Sequence, residues 1–271
     1  MKVGVVCPIG RLDRYGYQNV SDLCIGSMAD FAERVYLVQS TREREGVDEI
    51  LKEHEEVRLI SDERTWFSMW NGEEFFDIYR VISNVQRGRM EAEAEGMDAV
   101  VKLECNQYVP REAGYWLRER CAKMCEEGKE YDWYYRKDFV GGVMFHVSLR
   151  RPWILPKGTQ WNFWIDSVDC GGNSVRHERG NWPEMDEYAV VDAQLEMTLE
   201  DYAAKMTFLR NYVDLEPSRG RVFRWEFWKD YLIRKFAKKE MGGRLDEIGK
   251  RLMYRTKDDF IGQEILRGLA I

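Results

Sequence analysis

The chain is poor in the residues that build several common sites. It has only three histidines and six prolines in 271 residues. Its six cysteines (Cys7, Cys24, Cys105, Cys121, Cys125, Cys170) are scattered and form no CxxC pair. A structural zinc site therefore lacks its ordinary ligand set. The cysteines read instead as reduced, mostly buried thiols, which suits a cytoplasmic protein. No run approaches the roughly 20 apolar residues of a membrane-spanning helix. The first apolar strand begins at residue 2 and leaves no room for a signal peptide. Basic excess is also missing: the net charge is −7, which disfavours nucleic acid as the main partner. There is no GxGxxG after the first strand, no GxxxxGK[ST] and no GxSxG. Dinucleotide-binding, P-loop and nucleophile-elbow chemistries lose their signatures with them.

What is present is a folded α/β pattern, with 44% hydrophobic and 33% charged residues. KVGVVCPI (2–9) reads as a buried strand stopped by Pro8 and Gly10. Val20, Cys24, Met28, Phe31 and Val35 recur at helical spacing, followed by VYLVQ (35–39), a short helix in VDEILKEHE and a third strand in VRLI (57–60). This alternation predicts a parallel sheet. Residues 61–73 read as an aromatic loop with Trp66, Phe67 and Trp70. A long helix follows, carrying Phe75, Ile78, Ile82 and Val85 on one face. DAVVKLE (98–104) is the fourth strand, ending in Glu104-Cys105-Asn106, and the helix after Pro110 turns Ala113, Leu117, Cys121 and Met124 inward. Beyond residue 130 the apolar runs are short and split by Gly, Pro and Trp, which predicts mixed strands; TLEDYAAKMTFLRNYV then reads as a helix. We expect a mostly parallel Rossmann-like sheet flanked by helices over 1–215, with a nucleotide-binding half (1–125) and an acceptor half (126–215). A helical extension over 216–271 follows.

In an open parallel sheet, ligands bind beyond the carboxyl ends of the strands. That rim holds Asp13, Asp62, Glu63 and Glu104 beside Arg11, Arg14, Arg42 and Arg64. Carboxylates among arginines suit a polyanion held partly by a divalent metal. In NVQRGRMEAEAEGMDAVVKLECNQYVP (84–110), Asn84, Gly88, Ala94 and Gly96 lie on a helix, an apolar strand follows, and an acidic turn leads to a proline. This block resembles the centre of family-two-type glycosyltransferases with the GT-A fold. The resemblance covers roughly residues 1–125. It implies a nucleotide-sugar donor, a saccharide or lipid-linked hydroxyl acceptor, and a divalent metal (Mn or Mg) bridging the two phosphates.

On that resemblance Glu104 and Asn106 stand at the metal and diphosphate, with Asp192 as a further oxygen ligand or a purely structural residue. Pro8 and Asp62 approach the nucleotide, and Asp166 or Asp169 serves as base for the acceptor. The chain departs from the family by having Glu and Asn where Asp-x-Asp is usual. Trp161 and Trp164 beside Asp166 read as stacking platforms for sugar rings, with core packing as the rival. His54 and His177 lie in charged, surface-like stretches. The segment 219–239 carries net +6, interleaved with aromatics, leaving −13 for the remainder. It suits peripheral contact with an anionic membrane face, or a packed amphipathic helix. Two other functions stay open: a nucleotidyltransferase, and a non-catalytic GT-A-like binding protein.

Overall fold

The computed structural model describes residues 1–10, 12, 21–40, 46–61, 67–70, 73–76, 78–140, 143–162, 167–170, 173–175, 177–180 and 182–194. The chain divides into two compact units, Met1–Asp138 with His146–Ala193, and Phe139–Phe145 with Gln194–Ile271. The expected helix from Thr198, the boundary near 215 and the basic segment 219–239 all fall outside the described residues.

The first half follows the expected alternation. It runs β1 (Val3–Ile9), α1 (Ser21–Ala29), β2 (Arg34–Gln39), α2 (Val47–Glu53) and β3 (Val57–Ser61). Next come β4 (Phe67–Trp70), β5 (Glu73–Phe76), α3 (Ile78–Ala94), β6 (Ala99–Lys102), β7 (Gln107–Tyr108) and α4 (Arg111–Glu126). The second half holds β8 (Asp132–Val140), β9 (Val143–Pro156), β10 (Gln160–Asn162), β11 (Ser167–Cys170), β12 (Asn173–Val175), β13 (Glu178–Arg179) and β14 (Val190–Gln194), with a 3₁₀ turn over Pro183–Tyr188. The main sheet runs β3-β2-β1-β6-β9-β8-β14-β7, with β13 beside β9. Strands β3, β2, β1 and β6 are mutually parallel, while β9 joins β6 antiparallel and β14 pairs β7 antiparallel. This is the expected α/β architecture, parallel first and mixed later.

One expectation fails locally. Residues 67–76 form an antiparallel pair, with Trp70 opposite Glu73, and α3 begins only at Ile78. Phe75 therefore belongs to β5 and not to the helix. The sequence held a signal for this: Asn71-Gly72 is the dipeptide that best suits a two-residue hairpin connection.

β1 is buried at every position because it lies between β2 and β6 under helices. Its even positions face α3. A Cβ on Gly4 would meet Met97, Tyr36 and Ala92, and one on Gly88 of α3 would stand 2.6 Å from Val6 Cγ1 and 2.8 Å from Val38 Cγ2. Helix and sheet thus approach closely only because residue 88 has no side chain. Gly88→Ala gains up to ~1 kcal/mol of helix propensity but overpacks two central strands. We expect a net loss of about 1–2 kcal/mol in urea unfolding, partly recovered by adding Val6→Ala. A Gly88→Ala protein as stable as its parent would mean that α3 does not press on β1.

On the opposite face, the four helix residues expected inward from α4 (Ala113, Leu117, Cys121, Met124) are all buried. Cys7, Cys24 and Cys121 are buried free thiols whose pKa values burial pushes up, so they stay protonated. Cys125 is exposed. Among the described residues no helix is long and apolar enough to cross a membrane.

Candidate functional site

The chain leaves β1 through β2 and β3 on one side, and returns to place β6 on the other. A sheet wound this way has its topological switch point between β1 and β6, where ligand crevices form beyond the carboxyl ends. Backbone parity explains where the β1–β6 ladder stops. Lys2 and Val6 carbonyls accept from Asp98 and Leu103 on the β6 side, whereas Val3 and Ile9 carbonyls accept from Glu33 and Ser40 on the β2 side. Even positions of β1 thus address β6. The next even position is Pro8, which has no N–H to donate, and the β1·β6 pairing ends at Val6–Lys102. Pro8 thus cannot extend this ladder beyond Val6.

The chain beyond β6 forms the acidic turn. Gln107 N–H donates to the Glu104 carbonyl at 2.9 Å, and Glu104 N–H donates to Gln107 Oε1 at 2.9 Å. The carboxylate of Glu104 accepts from Lys102 Nζ at 3.0 Å. Asp192, distant in sequence, is delivered here because β14 pairs with β7 and sets Asp192 opposite Gln107. Asn106 Nδ2 donates to Asp192 Oδ1 at 2.8 Å, and Arg136 on β8 pairs with Asp192 Oδ2 at 2.8 Å. The structure thus brings Asn106 and Asp192 into direct contact, and Glu104 joins them through Gln107.

Beside this turn stands Trp153, fully buried on β9. Lys102 Nζ lies 3.6 Å from its ring centroid and Arg151 Cζ 4.4 Å. His177 meets the ring edge-on at 4.9 Å, and one of its ring nitrogens is 3.0 Å from Arg151. Tyr134 packs edge-on against Trp153, and its hydroxyl reaches the Lys102 carbonyl and Gln107 Oε1, each at 3.3 Å. Lys102, Arg136 and Arg151 are all buried.

Burial would raise the pKa of Glu104, but the charges of Lys102, Arg151 and Arg136 outweigh it and hold the carboxyl well below its usual range. His177 moves the other way: burial, then Arg151 and Lys102, push it down to about 2, so it stays neutral. Among the described residues, Lys102, Arg151 and Arg136 thus surround the Glu104 carboxylate, and Arg136 also pairs with Asp192.

Among the described residues the oxygen donors for a divalent metal are partly engaged: hard cations need oxygen lone pairs, both Asp192 oxygens already accept, Asn106 turns its amide nitrogen toward Asp192, and Glu104 gives one oxygen, Oε1, to an ammonium. Asp22, Glu53 and His54 on the α1–α2 surface do come within common metal reach of one another. A cavity of about 620 Å³, lined by Met1, Asp98, Cys125, Lys129 and Lys157, sits at the amino ends of β1 and β6, the wrong end for an α/β ligand site.

Asp62, Asp166 and Trp164, with Arg11, Asp13, Arg14, Arg42, Glu63 and Arg64 of the rim, fall outside the described residues. Asp169 lies in β11, opposite Gln160 and Ser174. Trp161 is a correction: it is buried against Trp153, 5.7 Å between centroids, and serves as core, not as a sugar platform. Neither histidine is a simple surface residue. His54 bonds Asp22 at 3.3 Å, and His177 belongs to the Trp153 cluster. The sequence reading missed Lys102, Arg136, Arg151, Trp153 and His177. Lys102 had a visible signal, a lone lysine inside the apolar strand AVVKL.

No family model matches the chain, and no curated protein matches it either. Solved structures with some likeness include S. aureus TarS 1-349, at 12% identity and TM-score 0.40 over 99% of this chain and 89% of that one. TarS 1-349 in complex with UDP-GlcNAc aligns over 52% of this chain at 15% identity and TM-score 0.33, and S. aureus TarS over 87% at 13% and 0.41. This chain covers 35% and 44% of the length of those two. At such distances the likeness carries no argument about ligand or reaction, and the architecture rests on the sheet order itself.

Proposed function

We propose that this chain is a GT-A-like glycosyltransferase that takes a nucleoside-diphosphate sugar in the crevice beyond β1 and β6 and moves the sugar to a hydroxyl acceptor. The observation that carries this reading is the buried cation cluster at the switch point of a parallel sheet, beside a ladder that Pro8 cannot extend. Lys102, Arg136 and Arg151 suit a leaving group that gains negative charge as its bond to the anomeric carbon breaks. Asp166 or Asp169 takes the proton of the acceptor hydroxyl. The acceptor oxygen then bonds the anomeric carbon as the electron pair departs with the diphosphate. Asp62 serves the nucleotide. The basic, aromatic segment 219–239 suits a lipid-linked acceptor at an anionic surface.

One observation favours a second reading. The polar groups of the acidic turn are bonded to one another, as in a non-catalytic relative that binds without reacting. Melting curves with UDP-, GDP- and dTDP-sugars, followed by assay of nucleoside-diphosphate release, separate these. We expect stabilisation by one sugar nucleotide, with release of its diphosphate when an acceptor is present. Stabilisation without release selects the binding protein. Preference for a nucleoside triphosphate selects a nucleotidyltransferase, and no response to any nucleotide removes the donor site.

A further inference from the structure

Alternate residues of a strand point to opposite faces of a sheet, and β8 divides its chemistry that way. Its even positions Tyr134 and Arg136 are buried toward the acidic turn, Tyr134 through its hydroxyl on the Lys102 carbonyl and Arg136 through its pair with Asp192. Its odd positions Tyr131, Trp133 and Tyr135 are half-buried on the other face. Trp116 of α4 joins them, with Trp182 and Tyr188 at the two ends of the 3₁₀ turn. The rings are connected. Tyr131 meets Trp133 at 5.8 Å between centroids, Tyr135 meets Trp116 at 6.0 Å and Trp182 at 5.7 Å, and Trp116 stacks on Tyr188 at 6.3 Å. Arg150 of β9 bridges the row, 4.8 Å from the Trp133 ring and 5.6 Å from that of Tyr135. From Tyr131 to Tyr135 the strand alone advances about 13 Å, a reach that suits a chain of sugars better than a single one.

Two features narrow the ligand. Each of the six rings carries an indole N–H or a phenol O–H. Among the described residues none of these groups has a hydrogen-bond partner, and none is sealed from water. The cations set among the rings are each matched: Arg150 by Glu178, Lys137 by Asp186 and Arg120 by Asp132. The face therefore offers ring faces and unengaged polar edges, with its cations already paired. A nucleic acid or an anionic membrane draws its affinity from unpaired cations. An aliphatic protein surface would bury the polar edges without acceptors. A neutral oligosaccharide fits both features. Its weakly positive C–H faces suit the negative faces of the rings, and its hydroxyls accept from the indole N–H groups.

We propose that this face of β8 is a saccharide-binding platform, with Trp133 and Tyr135 as its stacking residues and an uncharged oligosaccharide as its ligand. The inference does not rest on the donor reading, because the odd and even faces of β8 are different surfaces.

The test is calorimetric titration of the full chain with cello-, xylo-, malto- and chito-oligosaccharides, and with heparin and poly(U) as anionic probes. We expect at least one neutral series to bind, longer members more tightly than the monosaccharide, with affinity unchanged by NaCl. Trp133→Ala should weaken that binding about tenfold, equivalent to about 1.4 kcal/mol. Trp133→Leu keeps apolar bulk without a ring and should weaken it as much. Melting curves without ligand check the folding of each variant, and Tyr135→Leu serves where the Trp133 variants do not fold. Met90→Ala, at an exposed apolar residue of α3, should change nothing. Binding of the anionic probes alone, neutral binding that Trp133→Leu leaves intact, or no saccharide bound overturns the inference. So does a dimer in sedimentation that Trp133→Ala dissolves while no saccharide binds, which makes the face a protein interface. Titration with UDP reads the donor site separately. Saccharide binding without UDP binding supports the platform and removes the donor site; UDP binding without saccharide binding does the reverse.

Discussion

Asp192→Ala is expected to cost the folded protein about 3–5 kcal/mol, the usual loss when one partner of a buried ion pair is removed. Asp192 is 1% exposed and Arg136 7%, so water cannot take over the lost attraction. The cost has two parts, and they can be separated. Asp192→Asn keeps a side chain for Asn106 to bond but removes the charge that balances Arg136. It should retain roughly the 1 kcal/mol that one hydrogen bond contributes and lose the remainder. Replacing both members, Arg136→Met with Asp192→Leu, should recover much of the stability, because the penalty comes from a buried charge deprived of its partner. Urea unfolding of the four proteins is the measurement. An Asp192→Ala protein within 1 kcal/mol of its parent, by that order-of-magnitude rule, would mean that the pair is solvated and that β14 does not bring it inside.

Trp153→Ala is the second large effect, expected at about 3–5 kcal/mol from the cavity alone. Trp153 is fully buried and packs on Tyr134, Trp161 and His177. Its ring also faces Lys102 and Arg151, and a desolvated cation–π contact adds up to about 2 kcal/mol. These contributions share partners and will not simply add. Trp153→Phe keeps an aromatic face for both cations and should lose roughly half as much. If the two substitutions cost the same, the cations gain nothing from the ring. The same pair bears on function, because Trp153 holds Lys102 and Arg151 in place. Trp153→Ala should therefore weaken diphosphate binding as well as stability, and Trp153→Phe should largely preserve it.

Local pattern made most of the first half legible. The continuous apolar run of β1, the helical spacing of Cys24 and Met28, and the inward row Ala113, Leu117, Cys121 and Met124 each report burial through nearest neighbours in the chain. The acidic turn was legible too, because a polar triplet closing an apolar strand marks the rim of a parallel sheet. Residues 67–76 are ambiguous by pattern because aromatic residues suit strand, loop and helix alike, and only the Asn-Gly between them points to the paired strands.

By itself, then, the sequence determined the strand–helix alternation, the mixed character of the second half and the place of Glu104 and Asn106 beyond a strand. Only the tertiary structure decided what those residues face. Arg136, Arg151, Trp153 and His177 reach the turn from strands and loops 30 to 70 residues away, and Asp192 from farther still, by pairing of β14 with β7. Side-chain charge reads directly from a sequence, but whether a carboxylate is free to hold a metal depends on which cations long-range strand pairing sets beside it. Sheet order is fixed by burial of whole faces, not by any local motif.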